Sequence, residues 1–508
     1  MCPNFEVNGQ GLRCKIDATI DTANDWGSCP IYDKYLENMR ENCITKNVFG
    51  LPTQLDLSAA ADYMIELHKI KTPMPCKKFE NMLHYNDGVY IDGGQNVCEY
   101  RLGRDFGTRK NFEGKELLLS NKKKEILEKI KERTSCEMYS TLSPVRVPTF
   151  DPDLSIINMC NGLYNWRTGE FKEHTPDYPS RIQVSVQYDP NATCPTIMEV
   201  IKDALQPSDV EKYLEFLAYV FYRQYDAIQK AVLFYGEAGT GKSQLIKLPV
   251  KLVGDGNKTS VSLHSLGGKM PDRYATAQMY EKLLNVAGEI SSTFVPDVDI
   301  FKMLTSGSDP VHARMIYGSP FEFVNFAKLV MSANECPPVN DKSDAFYRRL
   351  EMFVFLRKFS AATDDASRLR ALEDPSELSG IFNEVITRLP DLLERREFTN
   401  ADSIESIKGK YIRMSNPVEM FANDCIREVG NPDKCISKEK LYRMYCKYCS
   451  MMRVPPETYL TFCRKVKHAM DWTKANERIR AFEGDQKHCW VNVVVIEPEL
   501  VIEDVRKR

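Results

Sequence analysis

The stretch Ala231-Val232-Leu233-Phe234-Tyr235 runs straight into Gly236-Glu237-Ala238-Gly239-Thr240-Gly241-Lys242-Ser243. An apolar run of strand length ends in a glycine-rich loop, the loop closes on Lys-Ser, and a helix-compatible segment follows. This is the phosphate-binding pattern G-x-x-x-x-G-K-[ST] in the strand–loop–helix setting that gives it meaning. The glycines let successive backbone N–H groups curl round an anion. Lys242 can reach the β- and γ-phosphates as a point charge. The Ser243 hydroxyl suits a Mg²⁺ ion, and the positive end of the new helix points at the same place.

Three more apolar strands follow: Leu283 to Ala287, Lys328 to Ser332 and Leu350 to Phe355. Continuous apolar strands separated by helical segments predict a parallel sheet covered on both faces, with ligands at its carboxyl ends. Glu289 and Asn334 fall at two such ends. A carboxylate there can orient and activate water, so Glu289 is the candidate catalytic acid–base group. It could equally hold a water bound to Mg²⁺, or be a plain surface acid. Asn334 could hydrogen-bond a γ-phosphate or the water without adding charge. Phosphoryl transfer also needs a cation for the charge on the transferred oxygens, and Arg348-Arg349 stands just past the third strand. One of that pair could act in a neighbouring subunit; a surface pair facing acids of its own chain is the other reading.

Between Glu289 and Asn334 lies an insertion, Phe301 to Asp309 and then Val311 to Phe323. Two β-prone runs around Tyr317-Gly318-Ser319-Pro320 predict a hairpin. Lys302, His312, Arg314 and Tyr317 place cations and a ring where they could meet single-stranded nucleic acid.

Upstream, Ser58 to Ile70 reads as a helix with Ala61, Met64, Ile65 and His68 on one side. Asn86-Asp87-Gly88 between apolar runs predicts a hairpin. Ser120 is the expected cap of a lysine-rich helix whose charged side reads as a solvated face. The Arg167-Thr168-Gly169 turn predicts a further hairpin, and helices from about Tyr188 to Tyr222 lead into the loop strand. Pro249 should kink the helix after the loop. Downstream, helices begin near Ser415, Ile436 and Pro456, and strands are expected at Ile479–Phe482 and Trp490–Val495. Three helices and a two-stranded wing suggest a winged-helix domain. Arg464, Lys465, Lys467 and His468 on its third helix, with Arg478, Arg480, Lys487 and His488 on the wing, make it a candidate duplex contact. Docking of a protein is the rival use.

The chain has 508 residues, enough for about three or four domains, and a net charge of −3, so nucleic-acid contact must be local, in a groove or pore. The 16 cysteines show no tight framework and read as reduced thiols of a cytoplasmic protein, or of the host-cell interior for a viral one. Cys2, Cys14, Cys29 and Cys43 lack the close pair of a usual zinc site, and Cys446-Lys447-Tyr448-Cys449 sits within a helix without further ligands. No apolar run reaches the length of a membrane span. The expected division is residues 1–56 of unassigned role, 57–205 a mixed α+β domain, 206–398 the ATPase with its leading helices, and 399–508 the winged-helix-like domain.

The ordered set of the glycine-rich loop, Glu289-Ile290, Lys302 with Thr305-Ser306-Gly307-Ser308-Asp309, Ala313-Arg314, Met331-Ser332-Ala333-Asn334 with Pro337-Pro338, and Arg348-Arg349 resembles a superfamily 3 helicase. More narrowly it is similar to the primase-helicases of phages, plasmids, integrated elements and poxviruses. Asn161-Gly162-Leu163, Thr168-Gly169, His174-Thr175-Pro176 and Tyr188-Asp189-Pro190 resemble the domain before the helicase in that family, and Ser379 to Asn383 the helical subdomain after it. The resemblance implies an α/β AAA+ P-loop ATPase core in a hexameric ring. ATP and Mg²⁺ would be the cofactors. Gly236, Glu237, Ala238, Gly239, Thr240, Gly241, Lys242, Ser243 and Gln244 would hold ATP, and Ser243 and Glu289 the metal. Lys242, Glu289 and Asn334 would act from one subunit and Arg348 or Arg349 from the next. Single-stranded DNA would pass the pore hairpin in the unwinding of forked DNA. Gly288 stands where a second acid could precede Glu289, and no primase motif can be placed before residue 57, so priming would be supplied by a primase or polymerase partner or be absent. Two other readings stay open: an ATP-dependent initiator that binds an origin and recruits another helicase, and an AAA+ protein remodeller.

Overall fold

The computed structural model describes residues 5–8, 11–14, 30–74, 82–137, 148–237, 239–268, 272–291, 294–316, 318, 320–334, 336–339, 343–359, 366–431, 433–452, 456–472, 477–482 and 485–499. At its centre five parallel strands lie in the order Lys258–Thr259, Leu284–Glu289, Lys328–Ala333, Ala231–Gly236, Leu350–Phe355. Four of them are the apolar runs expected from the sequence. Their side chains alternate between two cores. Leu233, Leu329 and Met352 face one layer, and Val232, Phe234, Val330 and Phe353 face the other. Burial on both faces is why these strands read as unbroken apolar runs.

The second layer is closed by the helices Pro195–Ala204, Pro207–Tyr219, Lys242–Val253 and Pro375–Ile386. Phe234 stacks on Phe353 with ring centroids 5.3 Å apart, and Tyr213 meets both rings edge-on. The Lys242–Val253 helix is continuous through Pro249, which is buried. The first layer is closed by the helix Asp299–Leu304, a β-hairpin and the C-terminal helices. Glu351, fully buried on an edge strand, is paired with Lys212 at 3.0 Å and Lys230 at 3.3 Å.

Before the sheet, the helix Leu57–His68 starts on an Asp56 cap and packs against the helices Gly94–Phe106 and Ser120–Thr134. Of its expected apolar side, Ala61 and Met64 are buried while Ile65 and His68 are half-buried. The hairpin His84–Asn86 with Val89–Ile91 is present, and Asp87 and Gly88 both take positive φ at its turn. Ser120 is not the cap of its helix. Leu119 holds that position without a side-chain hydrogen bond, and Ser120 is the first helical residue. The lysines of this helix pair with Glu99, Glu125 and Glu128, as on a solvated face. Around Arg167-Thr168-Gly169 the structure has a three-stranded meander, Ile156–Met159, Gly162–Asn165 and Phe171–Lys172, with a second tight turn at Cys160-Asn161. His174 closes it onto the upstream hairpin. Its Nε2 lies 2.9 Å from Asn158 Oδ1, and Asn158 Nδ2 donates to the Gly88 carbonyl.

After the sheet come the helices Ile404–Ser415, Pro417–Cys425, Lys438–Met452 and Tyr459–Ala469. A three-stranded antiparallel sheet follows in the order Cys435–Ser437, Asp485–Val491, Glu477–Phe482. The expected strand Trp490–Val495 is divided at Asn492, whose φ of 66° turns the chain before Val493–Val495 pairs with Ile426–Glu428. Cys446 and Cys449 lie on one helix, and among the described residues no group of three or more His, Cys, Asp or Glu is placed to hold a metal. The side chains of Cys2, Cys14 and Cys29 lie outside the described residues.

Candidate functional site

The carboxyl ends of three adjacent strands converge on one cavity of about 530 Å³, within the usual size range of a small-molecule site. The loop after Ala231–Gly236 forms its floor. Gly239 and Gly241 take φ of 79° and 84°, a region that L side chains rarely adopt, so the loop needs glycine there. Thr240 Oγ1 donates to the Glu237 carbonyl at 2.8 Å, and the Phe359 N–H to the Gly239 carbonyl at 2.8 Å. Both bonds hold the loop's curve. Ala238, expected among the nucleotide ligands, lies outside the described residues. Ser243 is exposed on the first turn of the helix, beside Gln244 on the cavity wall.

Lys242 is buried, and its ammonium reaches into the loop. Nζ donates to the carbonyls of Gly236 and Glu237 and to Asn334 Oδ1, the last two at 2.9 and 2.7 Å. Burial pushes its pKa down, and the Glu289 and Glu237 carboxylates pull it back. A buried ammonium that donates to three neutral oxygens has half of an ion pair in place and favours an incoming anion.

Asn334 stands where the strand Lys328–Ala333 ends, between the loop strand and the glutamate strand. Its amide bridges the two: Oδ1 accepts from Lys242, and Nδ2 donates to Glu289 Oε1. Glu289 is aimed there by a bulge. Ala287 pairs with Met331 and Glu289 with Ser332, leaving Gly288 as the extra residue. A bulge re-aims the side chain that follows it. Lys242, Asn334 and Glu289 are thus brought together as the sequence led us to expect.

The rest of the cavity wall was not legible in the sequence. Val200, Asp203 and Ala204 come from the helix Pro195–Ala204, and Phe359, Arg368 and Leu369 from beyond the last strand. Asp203 accepts from Arg357 at 3.1 Å and Arg368 at 2.9 Å. Partial burial pushes its carboxyl up, but the two arginines hold it below the ordinary range. No local pattern marks these residues, because only the tertiary fold joins them.

The other expected site residues lie apart from the cavity. Arg348 is exposed, while Arg349 is buried and donates from Nη1 to the Ala345 carbonyl at 2.8 Å. Burial, and then the Arg348 charge, lower the Arg349 pKa. The insertion forms the hairpin Pro310–Arg314 with Pro320–Val324. Val311, Ala313 and Phe323 point into the core, and Tyr280 packs edge-on against Phe321 and Phe323. His312 and Arg314 face outward. His312 Nδ1 lies 3.0 Å from Glu322 Oε1, its cross-strand neighbour. Lys302 pairs with Asp299 at 3.0 Å on the preceding helix. Tyr317 lies outside the described residues. In the C-terminal part Arg464 and His468 are exposed and Lys465 pairs with Glu457; the side chains of Arg478, Arg480 and Lys487 lie outside the described residues, and His488 is exposed.

Two stretches match known families. Residues 113–206 match a family described as D5 N terminal like, and residues 234–349 a family of unknown function, DUF5906. Over 320 residues the chain is 21% identical to "Putative helicase L207/L206" of Acanthamoeba polyphaga mimivirus, covering 58% of this chain and 33% of that protein. The likeness is to primase-helicase proteins. The chain spans about a third of the length of that viral relative. Among solved structures, the apo C-terminal region of NrS-1 (305–718) is similar at 13% identity and a TM-score of 0.41, over 87% of this chain and 100% of that one. An A-form apo structure of the same region gives 13% and 0.40, over 85% and 98%. Among the described residues no helix is long and apolar enough to cross a membrane.

Proposed function

We propose that this chain is an ATP-driven superfamily 3 DNA helicase of a virus, plasmid or mobile element, built on an AAA+ P-loop core. The observation that carries the reading is the Lys242–Asn334–Glu289 bridge across three strand ends, beside a glycine loop that opens a helix. The polar end of the cavity takes the phosphates: loop N–H groups, Lys242 and the helix terminus meet them. The apolar end, formed by Val200, Ala204, Ile246 and Leu369, takes the base. Ser243 and Glu289 offer a hydroxyl and a carboxylate, hard oxygen donors of the kind Mg²⁺ prefers; the ion, when bound, neutralises phosphate charge. Glu289 orients the attacking water, and Asn334 registers whether a γ-phosphate is present.

In a hexameric ring the exposed Arg348, rather than buried Arg349, is the cation that reaches a neighbour's nucleotide. The hairpin offers Arg314 and His312 to single-stranded DNA. The C-terminal helices and antiparallel strands form a winged-helix domain for duplex DNA or for a primase or polymerase partner.

ATP hydrolysis with and without single-stranded DNA, and unwinding of a forked duplex, test the reading on wild type, Lys242→Ala and Arg314→Ala. DNA-stimulated turnover and unwinding that both vanish in Lys242→Ala are expected, as is a loss of stimulation larger than the loss of basal turnover in Arg314→Ala. Turnover without unwinding would point instead to an origin-binding initiator.

A further inference from the structure

Three residues past Asn334 the chain reads Pro337-Pro338, and this pair has an unusual set of partners. Two prolines carry no N–H donors and have fixed φ, so only their carbonyls can tie the loop down. Both are used, and by distant elements. The Pro338 carbonyl accepts from the Val295 N–H at 2.9 Å, on the segment that leads through the helix Asp299–Leu304 to the hairpin. The Pro337 carbonyl accepts from Tyr411 Oη at 2.7 Å.

Tyr411 belongs to the helix Ile404–Ser415, the first of the C-terminal helices, and is 3% exposed. Its ring meets Phe346 and Tyr347 edge-on, with centroids 5.4 and 5.7 Å away. Those residues lie immediately before Arg348 and Arg349. One side chain from the C-terminal part therefore touches both ends of the segment between the Asn334 amide and the arginine pair. Pro337 has a fixed φ and Cys336 before it is buried, so the Cys336–Pro337 stretch has little room to shift independently of the bond.

We propose that Tyr411 is a positioning residue for nucleotide turnover, and that through the Tyr411–Pro337 bond the C-terminal helices set the place of Asn334. The proposal rests on the reading of the Lys242–Asn334–Glu289 site as an ATPase centre. Displacement of the Ile404–Ser415 helix, by whatever the C-terminal part binds, changes the rate of hydrolysis before it changes nucleotide affinity.

The test is Tyr411→Phe in the full chain, which keeps the ring and removes the hydroxyl. A fall in kcat of about tenfold is expected, since small misplacements of a catalytic group are costly in rate, with the Kd for ATP unchanged within about twofold. Asn334→Ala made in the Tyr411→Phe background should add less than it does alone, the non-additivity of two residues acting as a unit. Ser415→Ala removes a hydroxyl of the same helix that donates to the Ile412 carbonyl within that helix, and serves as control; it should leave kcat unchanged. An unchanged kcat in Tyr411→Phe, strictly additive losses, or an equal loss in Ser415→Ala overturns the proposal while leaving the ATPase reading intact. No ATP turnover in the wild type overturns both.

Discussion

The Asn334 carboxamide lies between Lys242 and Glu289, accepting from the ammonium at 2.7 Å and donating to the carboxylate. A neutral side chain thus stands between a cation and an anion. Had they paired, the ammonium would be neutralised internally and less available to a phosphate. The amide keeps both charges available at the cavity.

Glu289→Gln should therefore retain ATP and lose hydrolysis. The amide can still accept from Asn334 but cannot take up a proton from water, and loss of a general base costs about 10²- to 10⁴-fold in rate. Equilibrium binding of ATP beside a turnover assay checks this. Loss of binding would remove Glu289 from the catalytic step.

The arginine pair should separate cleanly. Arg349→Ala empties a buried position and leaves the Ala345 carbonyl without its donor, a loss of about 1–3 kcal/mol of stability read by urea denaturation. Arg348→Ala should leave stability within about 0.5 kcal/mol, as for an exposed residue, and should lower turnover only in assembled protein. Mixing Arg348→Ala with Lys242→Ala subunits should restore activity, since intact nucleotide sites then meet intact arginines. Failure of the mixture to recover activity would confine Arg348 to its own chain.

Glu351 holds two lysines at the edge of the sheet, and Lys212 is itself buried. Burial pushes the Lys212 pKa down, but Glu351 and Asp209 outweigh it and the pKa ends raised. Glu351→Ala should cost about 3–5 kcal/mol, because a buried ammonium loses its closest anion. A denaturant titration measures it, and Glu351→Gln should fall between the two.

The His68 ring sits against the N-terminal core with Nε2 buried and lacking a hydrogen-bond partner. Burial, followed by the His84 and Arg101 charges, pushes its pKa down from 6.5 to about 4. The unfolded chain binds a proton that the folded chain refuses. Stability from this residue is complete above pH 6.5 and is lost as pH falls toward 4, at up to about 1.4 kcal/mol per pH unit for one proton. Urea midpoints at pH 7.5, 5.5 and 4.5 should fall in that order. His68→Leu should show a shallower fall; an equal fall would assign the effect to other groups.

Much of the central sheet could be read directly, because residues such as Val232 and Val330 are apolar on strands buried on both faces. The loop could be read because Gly239, Gly241 and Lys242 carry their function in local spacing. The aim of Glu289 could not: it depends on a bulge at Gly288, and a bulge is a property of two paired strands. Asp203 and Arg368 were silent for a related reason, since 165 positions separate them and their ion pair exists only after folding. Ser120 failed as a cap because its helix begins one residue earlier than its side chain suggests, and the turn at Asn492 was hidden inside a run of valines.

The strand order has a bearing on how the molecule comes into being. The loop strand is made before the glutamate strand, yet they never pair with each other; the strand Lys328–Ala333 enters between them. During synthesis, a nascent chain that ends before Lys328 has only Lys258–Thr259 beside Leu284–Glu289, and the loop strand has no neighbour at all. The last strand to enter the middle also brings Asn334. Such a nascent chain is expected to hold no nucleotide, and the cavity becomes complete in one late step when its central strand is threaded into place.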